Sequence, residues 1–377
     1  MAGPLSGVKV IEVGQALAGP LAGVIMADMG ADVIKVEKPD GGDDARLWGP
    51  PFVDGDSVMF HSTNRNKRSV ALDIQTADGV TKLKTLVQDA DILIQNLRPG
   101  LVEKFGIGPA HLRAVNPRLI YCNIWAFGAK GPLTLAPGFD PLLQAFGAMM
   151  TLTGRAEDPP TFAGAAINDK TTGMWCVIGA LGALQQRART GLGCVIDTSL
   201  FESACALVEG PLNNYQVTGK IPERHGTGSN IIVPYQVFTT ADRPLCIAAG
   251  NDRLFVKMAD AMGRPEWYAD PRFVDGRQRT VNRTALIALM EPVVAAKTQA
   301  DWISVLGKAG VPCAPVNDIS ELSASEQLAA VDMMRTLPGT DLRIVGLPIS
   351  FDGERPYPQG DSPKVGQHNT EIFGHDA

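Results

Sequence analysis

No apolar run in this chain approaches the ~20 residues that a bilayer-spanning helix needs; the most apolar, Met174 to Leu184, has about half that length and is expected to form a buried helix. A basic excess is missing too: 34 lysines and arginines stand against 40 aspartates and glutamates, a net charge of −6, which speaks against nucleic acid as a partner. The six cysteines, Cys122, Cys176, Cys194, Cys205, Cys246 and Cys313, form neither a C-x-x-C pair nor a Cys/His cluster at zinc spacing, so they read as reduced and no metal site is expected. Nor does a basic segment, apolar signal core or cleavage site precede Val8-Lys9-Val10-Ile11-Glu12-Val13, and a cytoplasmic location is expected. The turn that follows, Gly14-Gln15-Ala16-Leu17-Ala18-Gly19-Pro20, lacks the G-x-G-x-x-G spacing of a dinucleotide-binding fold, which weakens a dehydrogenase reading. There is no internal repeat and no low-complexity tract.

What is present is an alternation of strand and helix signals. Residues 8 to 13 read as a buried strand, 18 to 29 as a helix rich in small residues and Asp32 to Val36 as a second strand; the pattern recurs at 78 to 89, 91 to 95 and 118 to 124. Such alternation predicts an α/β fold with a Rossmann-like parallel sheet. Asp169 to Thr190 reads as a glycine- and alanine-rich helix stopped by Gly191, and 195 to 217 as a further helix. At 377 residues with 45% apolar side chains the chain is long enough for two cores. A large α/β domain is expected over 1–220 with a C-terminal return over 330–377, and a smaller α+β domain over 221–329.

Asp169 ends the small, apolar segment Ala163-Gly164-Ala165-Ala166-Ile167-Asn168 and opens a helix. Its carboxylate can cap that helix or act as a nucleophile in a dry pocket, and position alone favours the cap. A resemblance along nearly the whole chain reverses the preference. Val10-Ile11-Glu12 to Ala18-Gly19-Pro20, Gly30-Ala31-Asp32-Val33-Ile34-Lys35-Val36-Glu37, Asn64-Arg65-Asn66-Lys67-Arg68-Ser69 with Leu72-Asp73, Asn96 to Gly100, Gly138-Phe139-Asp140, Asp169 to Gly173, Pro234-Tyr235, Gly310-Val311-Pro312 and Gly366-Gln367-His368 resemble, in order, the successive signatures of the class III, or CaiB/BaiF, coenzyme A-transferases.

The resemblance implies that Asp169 is the catalytic aspartate, carrying the acyl group as an anhydride and then coenzyme A as a thioester, with acyl-CoA and a carboxylic acid as substrates and no permanently bound cofactor. An aspartyl anhydride keeps the acyl group activated where a serine ester would trap it, so transfer stays reversible. For coenzyme A the same likeness points to Ala16, Leu17, Lys38, Leu72, Asn96, Leu97 and Lys104: lysines for phosphates, aliphatic groups for adenine and pantetheine, and an amide for polar anchoring. Lys38 and Lys104 stand where the formyl-CoA branch has arginines, losing the guanidinium's fork. Phe139 and Asp140 are placed near Asp169 by the likeness. In His225-Gly226-Thr227-Gly228-Ser229, a loop shorter than the branch's glycine-rich one, Gly226, Thr227 and Gly228 are candidates to shield the adduct and stabilise an oxyanion; an ordinary interdomain turn is the alternative.

Racemases of the same family place a histidine before the aspartate of the Gly-x-Asp motif, where this chain has Phe139, which carries no proton. A non-catalytic acyl-CoA binding protein is the rival from another class, and it would not need Asp169 in its matching context. The resemblance further implies a ring-shaped chain in an interlocked homodimer, and the likeness of 225 to 235 to dicarboxylate-using relatives favours a succinyl-type donor.

Overall fold

The computed structural model describes residues 3–357 and 359–374. They divide into two compact units, the first taking in residues up to Ala148, Ala163–Glu209 and Glu326 onward, the second Met149–Phe162 and Gly210–Ser325.

In the first unit, six strands form one parallel sheet: β1 (Lys9–Val13), β2 (Asp32–Glu37), β3 (Lys67–Ala71), β4 (Ile92–Gln95), β5 (Ile120–Trp125) and β6 (Val195–Ser199), in the order β3-β2-β1-β4-β5-β6. The period of two sends alternate residues to opposite faces. Val10, Val33, Ile92, Ile94 and Ile120 join one core with α1 (Ala18–Asp28). Ile11, Val13, Ile34 and Leu93 join the other with α2 (Ala77–Val87). A sheet covered on both faces needs strands that are largely apolar, which is why these runs are legible.

Three further helices extend the layer of α1: α4 (Ile167–Thr190) packs on α1, and α3 (Asp140–Phe146) and α5 (Leu200–Leu207) pack on α4. Glycine permits two close approaches. A Cβ on Gly173 of α4 would lie 2.8 Å from the carbonyl oxygen of Ala18, and one on Gly23 of α1 would lie 1.8 Å from Glu12 Oε2.

Two expectations need correction. Val195–Ser199 is an edge strand paired with Tyr121–Trp125 and not the start of a helix; its β-branched residues suit a sheet, and Asp197 accepts hydrogen bonds from Asn123 Nδ2 and Trp125 Nε1. The apolar stretch of α4 is not fully buried either: Met174 and Trp175 are 46% exposed and Ile178 56%.

The second unit has a three-stranded antiparallel sheet of β7 (Tyr235–Thr239), β8 (Pro244–Ala248) and β9 (Cys313–Pro315). Helices α6 (Asp252–Ala261), α7 (Arg283–Val294) and α8 (Gln299–Lys308) share its core, with Phe255, Met258, Leu286, Met290 and Trp302 at the centre. Among the described residues no helix is long and apolar enough to cross a membrane.

Candidate active site

The strand order reverses direction between β1 and β4, and their carboxyl ends open a crevice of the kind in which doubly wound sheets hold ligands. There the first unit has a cavity of about 680 Å³, within the usual range for small-molecule sites. Val13, Gln15, Ala16 and Leu17 line it from the end of β1, and Asn96 and Leu97 from the end of β4. Lys38, Leu72, Phe139, Asp140 and Asp169 complete the nominated residues gathered there.

The position of Asp169 answers the capping question. It is the third residue of α4, whose N-cap Ala166 contributes no side-chain bond. Asp140 does the capping from another helix: its Oδ1 accepts the backbone N–H of Asn168 at 2.7 Å and of Asp169 at 3.1 Å, and its Oδ2 accepts from Gln144 Nε2 at 2.6 Å. Gln144 is fixed in turn, its Oε1 accepting the Ala163 N–H at 2.8 Å. Among the described residues no hydrogen bond or ion pair engages the Asp169 carboxylate, which is left facing the cavity. Burial and the neighbouring Asp140 carboxylate push its pKa up to about 7. A carboxyl group so placed is a more basic nucleophile than an ordinary aspartate.

The other nominated residues fare differently. Asn96 holds the first turn, its Oδ1 accepting the Gln15 N–H and its Nδ2 donating to the Gln15 carbonyl, both at 2.8 Å. Lys38 is paired with Asp44 at 2.6 Å on the rim, where it is about half exposed. Lys104 does not line this cavity; it borders a smaller neighbouring opening with Gln75 and Phe105, two residues that also line the large one. Phe139 is 61% exposed.

Gly226, Thr227 and Gly228 belong to the second unit, where His225–Gly226 pairs with Gly154–Arg155. Gly226 has φ 65°, the Gly228 N–H returns to the His225 carbonyl at 2.9 Å, and Thr227 Oγ1 accepts from Val237 N at 3.0 Å. This segment is a bonded turn, with fewer free N–H groups than its glycine content implies.

Sequence reasoning missed several lining residues: Gln15, Asp43, Asp44, Trp48 and Trp125. A signal for the Asp43 region was the lysine inside the otherwise apolar run Val33-Ile34-Lys35-Val36, because a lysine in a central parallel strand requires buried anionic partners.

Comparison with known proteins gives the arrangement its context. The model of a family described as CoA-transferase family III matches residues 5–369. An acetyl-CoA:oxalate CoA-transferase from Acetobacter aceti is 36% identical over 98% of this chain and 95% of its own. A succinate–glutarate CoA-transferase from Agrobacterium fabrum is also 36% identical, with the same coverage. The human succinyl-CoA:glutarate CoA-transferase is 32% identical over 98% of this chain and 85% of its own. Among solved structures, a CaiB/BaiF family protein from Brucella suis superposes with a TM-score of 0.86 at 38% identity, covering 99% of each chain.

Proposed function

From the premise that this chain belongs to CoA-transferase family III and is a coenzyme A transferase, we propose that it moves coenzyme A from a dicarboxylyl, succinyl-type acyl-CoA to a carboxylic acid through covalent adducts on Asp169. The observation that carries this reading is the relief of Asp169 from capping. With Asp140 satisfying the N–H groups of Asn168 and Asp169, the Asp169 carboxylate faces the cavity without a hydrogen bond among the described residues.

The chemistry follows from that geometry. A carboxylate oxygen of Asp169 attacks the thioester carbonyl, the carbon–sulfur bond breaks, and a mixed anhydride and the coenzyme A thiolate result. The thiolate attacks the aspartyl carbonyl, releasing the donor acid and leaving coenzyme A as a thioester on Asp169. The acceptor carboxylate attacks that thioester and expels the thiolate; attack of the thiolate on the acceptor's carbonyl then forms the new acyl-CoA and restores the carboxylate. No net proton or electron is exchanged. Each step trades one activated acyl linkage for another, which splits a difficult exchange into easier ones.

Ala16, Leu17, Leu72 and Leu97 supply apolar contact for the coenzyme, and Lys38 a phosphate contact. The chain works as an interlocked homodimer in this reading, supported by the exposed large apolar side chains Phe139, Leu142, Phe146, Met174, Trp175 and Ile178. Its six unpaired cysteines fit the cytoplasm.

Donor preference is carried by the names of the relatives, several of which use succinyl-CoA. A panel of acyl-CoA donors against carboxylate acceptors, read by mass spectrometry, tests it. The expected result is new acyl-CoA from succinyl-CoA with a second dicarboxylate; transfer confined to monocarboxylyl donors contradicts the dicarboxylyl assignment.

A further inference from the structure

At the wall of the cavity, through Asp43, begins a cluster of buried charges with no part in the chemistry above. Glu12, Lys35, Asp43 and Lys67 have fully buried side chains. Lys35 Nζ donates to Glu12 Oε1 and to Asp43 Oδ2, each at 2.9 Å, and Lys67 Nζ donates to Glu12 Oε2 at 2.7 Å. Two cations meet two carboxylates, so the cluster is neutral as a whole. Burial presses the Lys35 ammonium toward deprotonation, but Glu12, Asp43 and Glu37 outweigh it and hold its pKa above the ordinary value.

Well-packed apolar side chains often stabilise a core at least as well as such an array. Stability therefore gives little reason for a lysine in the middle of a parallel strand. What the cluster holds lies at its upper edge. Lys35 Nζ donates to the Gly14 carbonyl at 2.8 Å, while Asp43 Oδ1 accepts the N–H of Ala16 at 3.0 Å. These two bonds bracket Gln15, whose own N–H and carbonyl are taken by Asn96. Ala16 has φ 66°, a left-handed conformation that a Cβ disfavours. Gln15, Ala16 and Asp43 all line the cavity. Backbone held against its preference at the wall of a ligand site is the usual mark of a shape kept for binding.

We propose that Asp43, backed by Lys35, is a positioning residue for the acyl-CoA substrate: by holding Ala16 left-handed it fixes the turn against which the coenzyme lies. This rests on the reading that the cavity takes coenzyme A. Asp43 also accepts the Ala45 N–H at 3.0 Å and so caps the short helical turn Asp44–Leu47. A purely structural role in that turn would lower stability without altering coenzyme binding per folded molecule.

The two roles separate in a double-mutant cycle between positions 43 and 16, because glycine adopts the left-handed conformation without help. The full-length proteins are compared by calorimetric titration with coenzyme A and by steady-state kinetics. In the Ala16 background, Asp43→Asn should weaken coenzyme A binding and raise KM for acyl-CoA about tenfold, with kcat changed less than about threefold, since Asp169 and its surroundings are untouched. In the Ala16→Gly background the same change should cost less than about threefold in binding. An equal penalty in both backgrounds, or no change in KM, overturns the proposal. If Asp43→Asn does not fold, the joint change Lys35→Met with Asp43→Leu removes both charges and leaves Glu12 paired with Lys67; normal coenzyme A affinity in that folded protein overturns the proposal equally. Failure of the unmodified protein to bind coenzyme A would instead defeat the reading of the cavity itself, and the proposal with it.

Discussion

Replacing Asp169 with asparagine removes a group whose charged form the fold disfavours, and the consequence is a gain in stability that depends on pH. Burial and the Asp140 carboxylate raise the Asp169 pKa from 3.8 to about 7. In the unfolded chain the value stays near 3.8, so between these limits the native state holds the proton more tightly. The contribution to stability is therefore full below about pH 4 and is lost as the pH rises through about 7. At ~1.4 kcal/mol per decade the full rise corresponds to an upper bound of ~4 kcal/mol. Solvent in the cavity screens the half-buried carboxylate, and an effect of about 1–3 kcal/mol is the reasonable expectation. The Asp169→Asn protein should be more stable than the unmodified one at pH 8 by this amount, with the gap shrinking as the pH falls to 5. Urea unfolding of both proteins across that range provides the comparison. A gap that does not change with pH, or an asparagine variant that is the less stable at pH 8, would refute the reasoning and return Asp169 to an ordinary structural role.

Asp140→Asn should lower stability by about 1–2 kcal/mol, because a charged acceptor of three N–H bonds becomes a neutral amide. It should also shift the acid limb of kcat/KM to lower pH, since the repulsion that helps raise the Asp169 pKa is gone; an unmoved limb contradicts that coupling. Phe139→His should not by itself confer racemisation, because proton transfer needs an aligned base as well as a titratable one. Deuterium exchange at the α-carbon of a 2-methylacyl-CoA is the check, and rapid exchange by the unmodified protein would favour a racemase. Sedimentation at low concentration should show a dimer, and a stable, active monomer contradicts the proposed assembly.

The central strands were legible because a sheet buried on both faces requires largely apolar runs such as Val10-Ile11 and Ile92-Leu93-Ile94. β6 was not, because an edge strand tolerates polar residues: Asp197 and Thr198 interrupt its apolar pattern. The partly exposed face of α4 was missed for a related reason, since a run of apolar residues does not say what covers it. The brief excursion of Met149–Phe162 into the second unit carries no mark in composition. At the site, the residues after β1 and β4 were placed in one cavity by topology, and motif likeness had already nominated them. Asp140 was nominated for its nearness to Asp169, while its capping of α4 depends on a contact across 28 residues that spacing alone does not reveal.

The most direct test of the account is to treat the protein with acyl-CoA and hydroxylamine and to map the product by peptide mass spectrometry, with Asp169→Ala assayed alongside a melting curve. The account predicts a hydroxamate at Asp169 in the unmodified protein. In a folded Asp169→Ala protein it predicts no adduct and a loss of transfer beyond roughly a thousandfold, the scale for removal of a covalent nucleophile. Near-normal turnover by a well-folded Asp169→Ala protein would contradict the covalent role of Asp169 and the mechanism built on it.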